Sequence, residues 1–177
     1  MRSSAALVIL ATTVVALSSA VHADVLGTCK AAVGIDNRIN KDLCVSALGS
    51  YRHSEDENTW SLAKIAAIIG IRYAKNTNAD IMALLAKPGT DAKMKAALGK
   101  CQELYYSIRV SFAQGHANIE QRDYARGKAK VQEAIILAHE CNNVFAKIAI
   151  IPSPLVHHSW YSVHMAIICT AITNLIK

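Results

Sequence analysis

Cysteine and histidine are the residue types in this chain with the most chemistry to offer. There are five cysteines, Cys29, Cys44, Cys101, Cys141 and Cys169, and seven histidines in 177 residues. A structural or catalytic zinc site needs Cys and His at short, characteristic spacings. The chain has no CxxC pair and no Cys/His cluster of that kind. His157, His158 and His164 lie close in sequence, and on a helix His157 and His164 share a face two turns apart. His116 or His139 would have to come from another element to complete a metal site. No metal and no cofactor are therefore expected. Hydrolytic chemistry is no better supplied. The chain lacks a Gly-rich phosphate loop, GxSxG and HExxH. Glu55, Asp56 and Glu57 are consecutive, as at a solvated helix start, and do not form a facing acid/base pair. We expect no catalytic residue, and hence a binding protein and not an enzyme.

The chemistry left to the cysteines is disulfide formation, which depends on the compartment. Arg2, the apolar run Ala5 to Leu17 and the small-residue motif Val21-His22-Ala23 read as a secretory signal over residues 1–23, cleaved between Ala23 and Asp24. The run is too short for a membrane span, and no later segment is long and apolar enough, so no membrane association is expected of the mature form. The mature chain, residues 24–177, suits one domain. Without Arg2 it holds 18 Lys and Arg against 13 Asp and Glu, a mildly basic balance that favours acidic surfaces, acidic polysaccharide among them. The basic residues are spread out and not interleaved with aromatics, so nucleic acid is not the expected partner.

Spacing suggests how the cysteines pair. Cys29 and Cys44 centre on the turn-like Gly34-Ile35-Asp36-Asn37. Cys101 and Cys141 centre on position 121, inside the polar stretch Asn118 to Asp123. Two antiparallel helices meeting there would bring Cys101 and Cys141 to one height, as a bridge requires. Cys169 lies in the apolar run Met165 to Ile172 and is expected as a buried free thiol.

These pairings require helices. Apolar or small residues fall at Met94, Leu98, Cys101, Tyr105, Ile108, Phe112 and Gly115, then at Tyr124, Gly127, Val131, Ala134, Ala138, Cys141, Phe145 and Ile148. Steps of three and four make each run a helix seam. Before them, Trp60 to Lys87 reads as a long helix with a weak middle at Lys75-Asn76-Thr77-Asn78, and it stops at Pro88-Gly89. Thr90 or Asp91 caps the next helix, and Asp123 caps the one after. Pro152-Ser153-Pro154 breaks that one, and a last apolar helix runs from about His158 to Ile176. No strand pattern or repeat occurs. The expected fold is all-α: an up-and-down four-helix bundle over residues 54–177, an N-terminal helical hairpin over 24–50, and two disulfides.

The segments GTCKAAVGIDNRINKDLCVSALGS, CQELYY, RDYARGKAKVQEAIILAHEC and SVHMAIICTAITNLIK together resemble the plant invertase and pectin methylesterase inhibitor family. The resemblance covers nearly the whole mature chain. It rests above all on the four-cysteine spacing combined with the terminal helix. It implies the same fold and the same two bridges. It also implies noncovalent inhibition of pectin methylesterase or acid invertase, by a 1:1 complex over the enzyme's active-site cleft in the cell wall. Many invertase inhibitors of the family carry Pro-Lys-Phe at the turn between the second and third bundle helices, where this chain has Asp123-Tyr124-Ala125. That turn, Arg122, Asp123 and Tyr124, is the candidate target-binding site, and histidines near the contact would make affinity depend on pH. Some pollen members are allergens. The competing expectation is a secreted structural or apolar-ligand-carrying bundle with a pocket at Tyr105, Phe112 and Tyr161.

Overall fold

Among the described residues, asparagine or aspartate stands at the head of five of the six helices. In the computed structural model, which describes residues 24–51 and 58–177, Asp24, Asn40, Asn58, Asp91 and Asp123 each accept a hydrogen bond from the backbone N–H three residues on. Such a side chain satisfies one of the four amide donors that a helix start leaves without a partner. The helices are α1 (Val25–Ile35), α2 (Lys41–Gly49), α3 (Thr59–Ala86), α4 (Ala92–Glu120), α5 (Tyr124–Lys147) and α6 (Val156–Asn174). Between Thr90 and Asp91, Asp91 takes the cap of α4, donated to by Met94 N at 2.9 Å. The Thr90 hydroxyl instead donates to Leu84 O and Lys87 O and closes the end of α3. The signal segment with its Ala23–Asp24 cleavage point, and the acidic run Glu55 to Glu57, lie outside the described residues, save Asp24 itself.

Short connections force neighbouring long helices to run antiparallel. α3 packs on α4, α4 on α5, α5 on α6 and α6 back on α3, which closes a four-helix bundle. Leu62, Leu98, Ile108, Phe112, Phe145, Met165 and Ile168 fill its centre and are fully shielded from solvent. The α1–α2 hairpin, closed by Cys29–Cys44 with Cα atoms 5.9 Å apart, rests α1 on α6 and α2 on α3. Cys101 and Cys141 are bonded across α4 and α5, with Cα atoms 5.0 Å apart, and Cys169 is a buried free thiol.

α4 and α5 also touch through glycine. A Cβ on Gly115 would run into Val131 Cγ2 and stand 3.2 Å from Gly127 O. A Cβ on Gly127 would stand 2.7 Å from Ile119 Cγ1 and 3.3 Å from Gly115 O. The two backbones approach here more closely than side chains would permit.

The weak middle expected in α3 is continuous helix. Thr77 is buried there, and its hydroxyl donates to Tyr73 O at 3.0 Å. The same oxygen lies 3.1 Å from His158 Nδ1 of α6. The Tyr73 hydroxyl lies 3.3 Å from that nitrogen, and Asp80 Oδ2 lies 3.7 Å from His158 Nε2. A polar residue on the α3 seam is thus matched by a polar residue on α6. Burial holds the His158 imidazole below its ordinary pKa, and Asp80 opposes this only in part.

Three outcomes follow from this packing. Replacing Gly127 with Ala should destabilise the chain by about 1–3 kcal/mol, although Ala is the better helix former, because the added methyl overpacks the contact. Urea unfolding of the oxidised variant measures it. Removing Cys101–Cys141, which closes 40 residues, should cost about 4 kcal/mol, against about 3 kcal/mol for Cys29–Cys44, which closes 15. Equal losses would contradict that order. A histidine whose folded pKa is depressed contributes stability above its unfolded pKa of about 6.5 and loses it as pH falls. The thermal midpoint should therefore drop between about pH 7 and pH 5. His158→Gln should flatten part of that drop.

Candidate functional site

The turn between α4 and α5 is built by three residues, Gln121 to Asp123. α4 ends as Arg122 N and Asp123 N donate back to Ile119 O at 3.0 Å and Asn118 O at 2.9 Å. Arg122 takes φ 63°, the left-handed conformation that usually falls to glycine or asparagine at a helix end. Asp123 then starts α5, accepting from Arg126 N at 3.1 Å, while its other carboxylate oxygen lies 3.4 Å from Arg126 Nε. Of the three candidate residues, Asp123 is committed to this cap. Arg122 is exposed, and Tyr124 is half-buried beside it.

This tip is tied to α3 through Trp60. The indole N–H donates to Ile119 O at 2.9 Å. Lys64 Nζ stands 3.4 Å from the centre of the Trp60 ring, and the Arg122 guanidinium stands 4.8 Å from it. Lys64 also pairs with Glu120 at 2.7 Å, and Arg122 Nη1 donates to the Tyr124 hydroxyl at 3.3 Å. A cation held over an indole face is attracted by the ring quadrupole. These contacts hold a long, exposed arginine in a set position at the end of the bundle. His116 lies one turn before Glu120, half-buried, and burial holds its imidazole below the ordinary range against the opposing pull of Glu120.

A groove of about 440 Å³ runs along the outer α4–α5 face above the tip, lined by Tyr106, Val110, Gln114, Glu133, Ile136 and Leu137. Tyr106 and Ile136 are 55% and 61% exposed, so this helix face carries large side chains open to solvent. Glu133 borders the groove, accepting from Ser111 at 3.4 Å and from Lys130 at 2.7 Å. The arrangement offers an apolar patch, a fixed guanidinium and a phenol, which is contact chemistry and not bond-making chemistry.

The described histidines do not assemble. His157 and His139 are exposed. His164 lies against Trp160 with ring centres 4.0 Å apart and the rings tilted by 32°, and its Nδ1 donates to Trp160 O at 2.8 Å. The expected face shared by His157 and His164 is therefore no ligand pair. Among the described residues, no three His, Cys, Asp or Glu side chains stand together as metal ligands. His158 is the histidine built into the structure, and its partners on α3 lie 78 to 85 residues away, beyond the reach of local spacing. Tyr105 and Phe112 are wholly buried, and the Phe112 ring fills the notch left by Gly70. The pocket for an apolar ligand expected at Tyr105, Phe112 and Tyr161 is occupied by side chains.

Known proteins share this arrangement. The family model "Plant invertase/pectin methylesterase inhibitor" matches residues 23–172. Pectinesterase inhibitor 8 of Oryza sativa subsp. japonica is 42% identical over 92% of this chain and 88% of its own length. Pectinesterase inhibitor 12 of the same plant is 37% identical over 100% and 87%. A Platanus acerifolia protein with a provisional invertase inhibitor name is 29% identical over 90% and 89%. The crystal structure of a mutant form of a pectin methylesterase inhibitor from Arabidopsis superposes with a TM-score of 0.68, covering 87% of this chain and 98% of that one at 19% identity, and so shares the fold. With two stapled hairpins, a four-helix bundle and a sequence match along nearly its whole described length, the chain belongs to the plant invertase/pectin methylesterase inhibitor family.

Proposed function

We propose that this chain is a secreted inhibitor of a plant cell-wall enzyme, residues 24–177 forming the inhibitor domain after the signal is removed. It binds noncovalently, one inhibitor to one enzyme, and occludes the active-site cleft. Pectin methylesterase is the first target to test and acid invertase the second. Two observations favour that order. The relatives named as pectinesterase inhibitors share 42% and 37% of aligned residues with this chain, against 29% for the one with an invertase inhibitor name. The turn also holds Asp123-Tyr124-Ala125 where many invertase inhibitors carry Pro-Lys-Phe.

The observation that carries the docking surface is the exposed Tyr106–Ile136 groove, which lies on the same two helices that end in the Arg122–Tyr124 tip. Together they combine what protein interfaces favour: exposed aromatic and aliphatic side chains, with an arginine at one end. A standard interface takes about 800 Å² from each partner, which two adjacent long helices can supply. The bundle presents that surface already ordered, so little conformational entropy is lost on binding. Arg122 in a left-handed conformation costs on the order of 1 kcal/mol, the kind of local strain that gathers at functional surfaces. A carrier of apolar ligands is disfavoured by the packed Phe112 and Tyr105.

Inhibition assays on purified pectin methylesterase and acid invertase, with the oxidised chain, test the reading. Absence of any effect on both enzymes between about pH 5 and pH 7 would sink it. Within an active inhibitor, Arg122→Ala, Tyr124→Ala and the pair Tyr106→Ala/Ile136→Ala should each weaken inhibition about tenfold or more while leaving the helical circular dichroism unchanged. Asp123→Ala is a poorer probe, because losing the α5 cap alone costs about 1 kcal/mol of stability. Unchanged inhibition constants for all three variants would move the contact to another face.

A further inference from the structure

Trp60 does more at the tip than pack. It stands half-buried in the first turn of α3, and two of its contacts converge on Arg122. The first is a shared acceptor. Ile119 O accepts from the Trp60 indole N–H at 2.9 Å and from Arg122 N at 3.0 Å. A carbonyl has two lone pairs, so one oxygen serves both donors. The indole and the Arg122 main chain are thus fastened to the same atom. The second contact is made by the side chain. From its left-handed backbone, φ 63°, Arg122 brings its guanidinium to 4.8 Å from the centre of the Trp60 ring. Nη1 donates to the Tyr124 hydroxyl at 3.3 Å. Carbonyl, ring and phenol hold the arginine from three directions.

The indole serves a second cation as well. Lys64, one turn further along α3, holds its Nζ 3.4 Å from the ring centre. Two like charges beside one ring repel each other, and a nearby anion offsets that repulsion. Glu120 is that anion. It takes Lys64 at 2.7 Å. The Lys64 hydrogen bond above all, then the charges of Lys64, His116 and Arg122, hold the Glu120 carboxyl below its usual range. Glu120 therefore ties down the lysine, and the arginine keeps its place against the indole.

A long exposed arginine samples many rotamers, and ordering it at an interface costs conformational entropy. A cation drawn to the face of an indole has lost much of that freedom before any partner arrives. We propose that Trp60 is a positioning residue of the docking surface: it sets the place of the Arg122 guanidinium for the partner enzyme, and Glu120 keeps Lys64 from displacing it. This role rests on the reading that the Arg122–Tyr124 tip belongs to the docking surface. It adds a residue of α3 to a site otherwise made by α4 and α5.

Two measurements test it, one without enzyme and one with it. In the free oxidised chain, NMR relaxation of the Arg122 Nε–H group reports how ordered the guanidinium is. Trp60→Leu removes both the ring and the N–H, and should raise that mobility. Glu120→Gln should raise it too. Trp60→Phe keeps an aromatic face and should lie closer to the parent. In inhibition assays, Trp60→Leu should weaken inhibition about fivefold to tenfold, and Trp60→Phe less. In an Arg122→Ala background, Trp60→Leu should have little further effect, because a residue that acts through the arginine has nothing left to position. If Trp60→Leu fails to fold, the same cycle is run with Trp60→Phe, checked by circular dichroism.

Arg122 equally ordered in every variant would overturn the proposal. Losses that simply add in the cycle would also overturn it, since they would make Trp60 a direct contact or a packing residue. Inhibition lost on Arg122→Ala but indifferent to Trp60→Leu would refute the positioning role alone. Inhibition untouched by Arg122→Ala would refute the tip as the contact, and the positioning role with it. A chain that inhibits neither enzyme would end the inhibitor reading, and the NMR measurement would still decide whether Trp60 holds Arg122.

Discussion

The contact between α4 and α5 is the constraint on which the rest of the molecule depends. Gly115 and Gly127 let the two backbones meet near the tip, and the Cys101–Cys141 bond holds them together more than three turns further along. With both ends of the contact fixed, a turn of only three residues has few geometries open to it. Arg122 accepts a left-handed backbone, and Asp123 starts the next helix within one residue. The position of the arginine is thus a consequence of helix packing some way below it.

The two ends of the bundle are unlike. At the tip, cations gather around one indole, and their carboxylate partners Glu120 and Asp123 lie alongside. Further from the tip, the space between helices holds neutral polar groups. Tyr105, Ser159 and Asn142 join α4, α6 and α5, and His158 joins α6 to Thr77 and Tyr73 of α3. Buried polar contacts add little net energy, but each is costly to break, so they penalise any sliding of one helix against its neighbour. A bundle whose helices cannot slide presents the same surface in every molecule, which suits recognition of a partner's cleft.

The hairpin α1–α2 has a different standing. It is too short to be stable by its own helix propensity and is held by its bridge and by Val25, Ala32 and Leu48 packed inward. Its turn carries charged residues over the α5–α6 edge and shapes a polar cleft that the bundle alone would not have. One short element thus covers apolar surface of α6.

The amino-acid sequence by itself determined the helices, their order and the cysteine partners. Seam spacing of three and four, Asn or Asp at helix starts and Pro-Gly or Pro-x-Pro at breaks are local signals, and short connections leave antiparallel neighbours as the only packing. It also marked the tip, because a cap residue and a midpoint between two cysteines need no knowledge of the rest of the fold. What it could not give was any relation between residues on different helices. The clasp of Trp60 on Ile119 spans 59 residues, the pairing of Thr77 with His158 spans 81, and the salt bridge of Lys64 with Glu120 joins α3 to α4. In sequence these residues sit in unremarkable polar stretches, and Thr77 stands where the helix looked weakest. The rotation of each helix about its axis selects which side chains meet, and that rotation is set by the whole core at once. The exposed Tyr106–Ile136 groove, the filled space at Phe112 and the cleft beneath the α1–α2 turn were therefore decided by the tertiary structure alone.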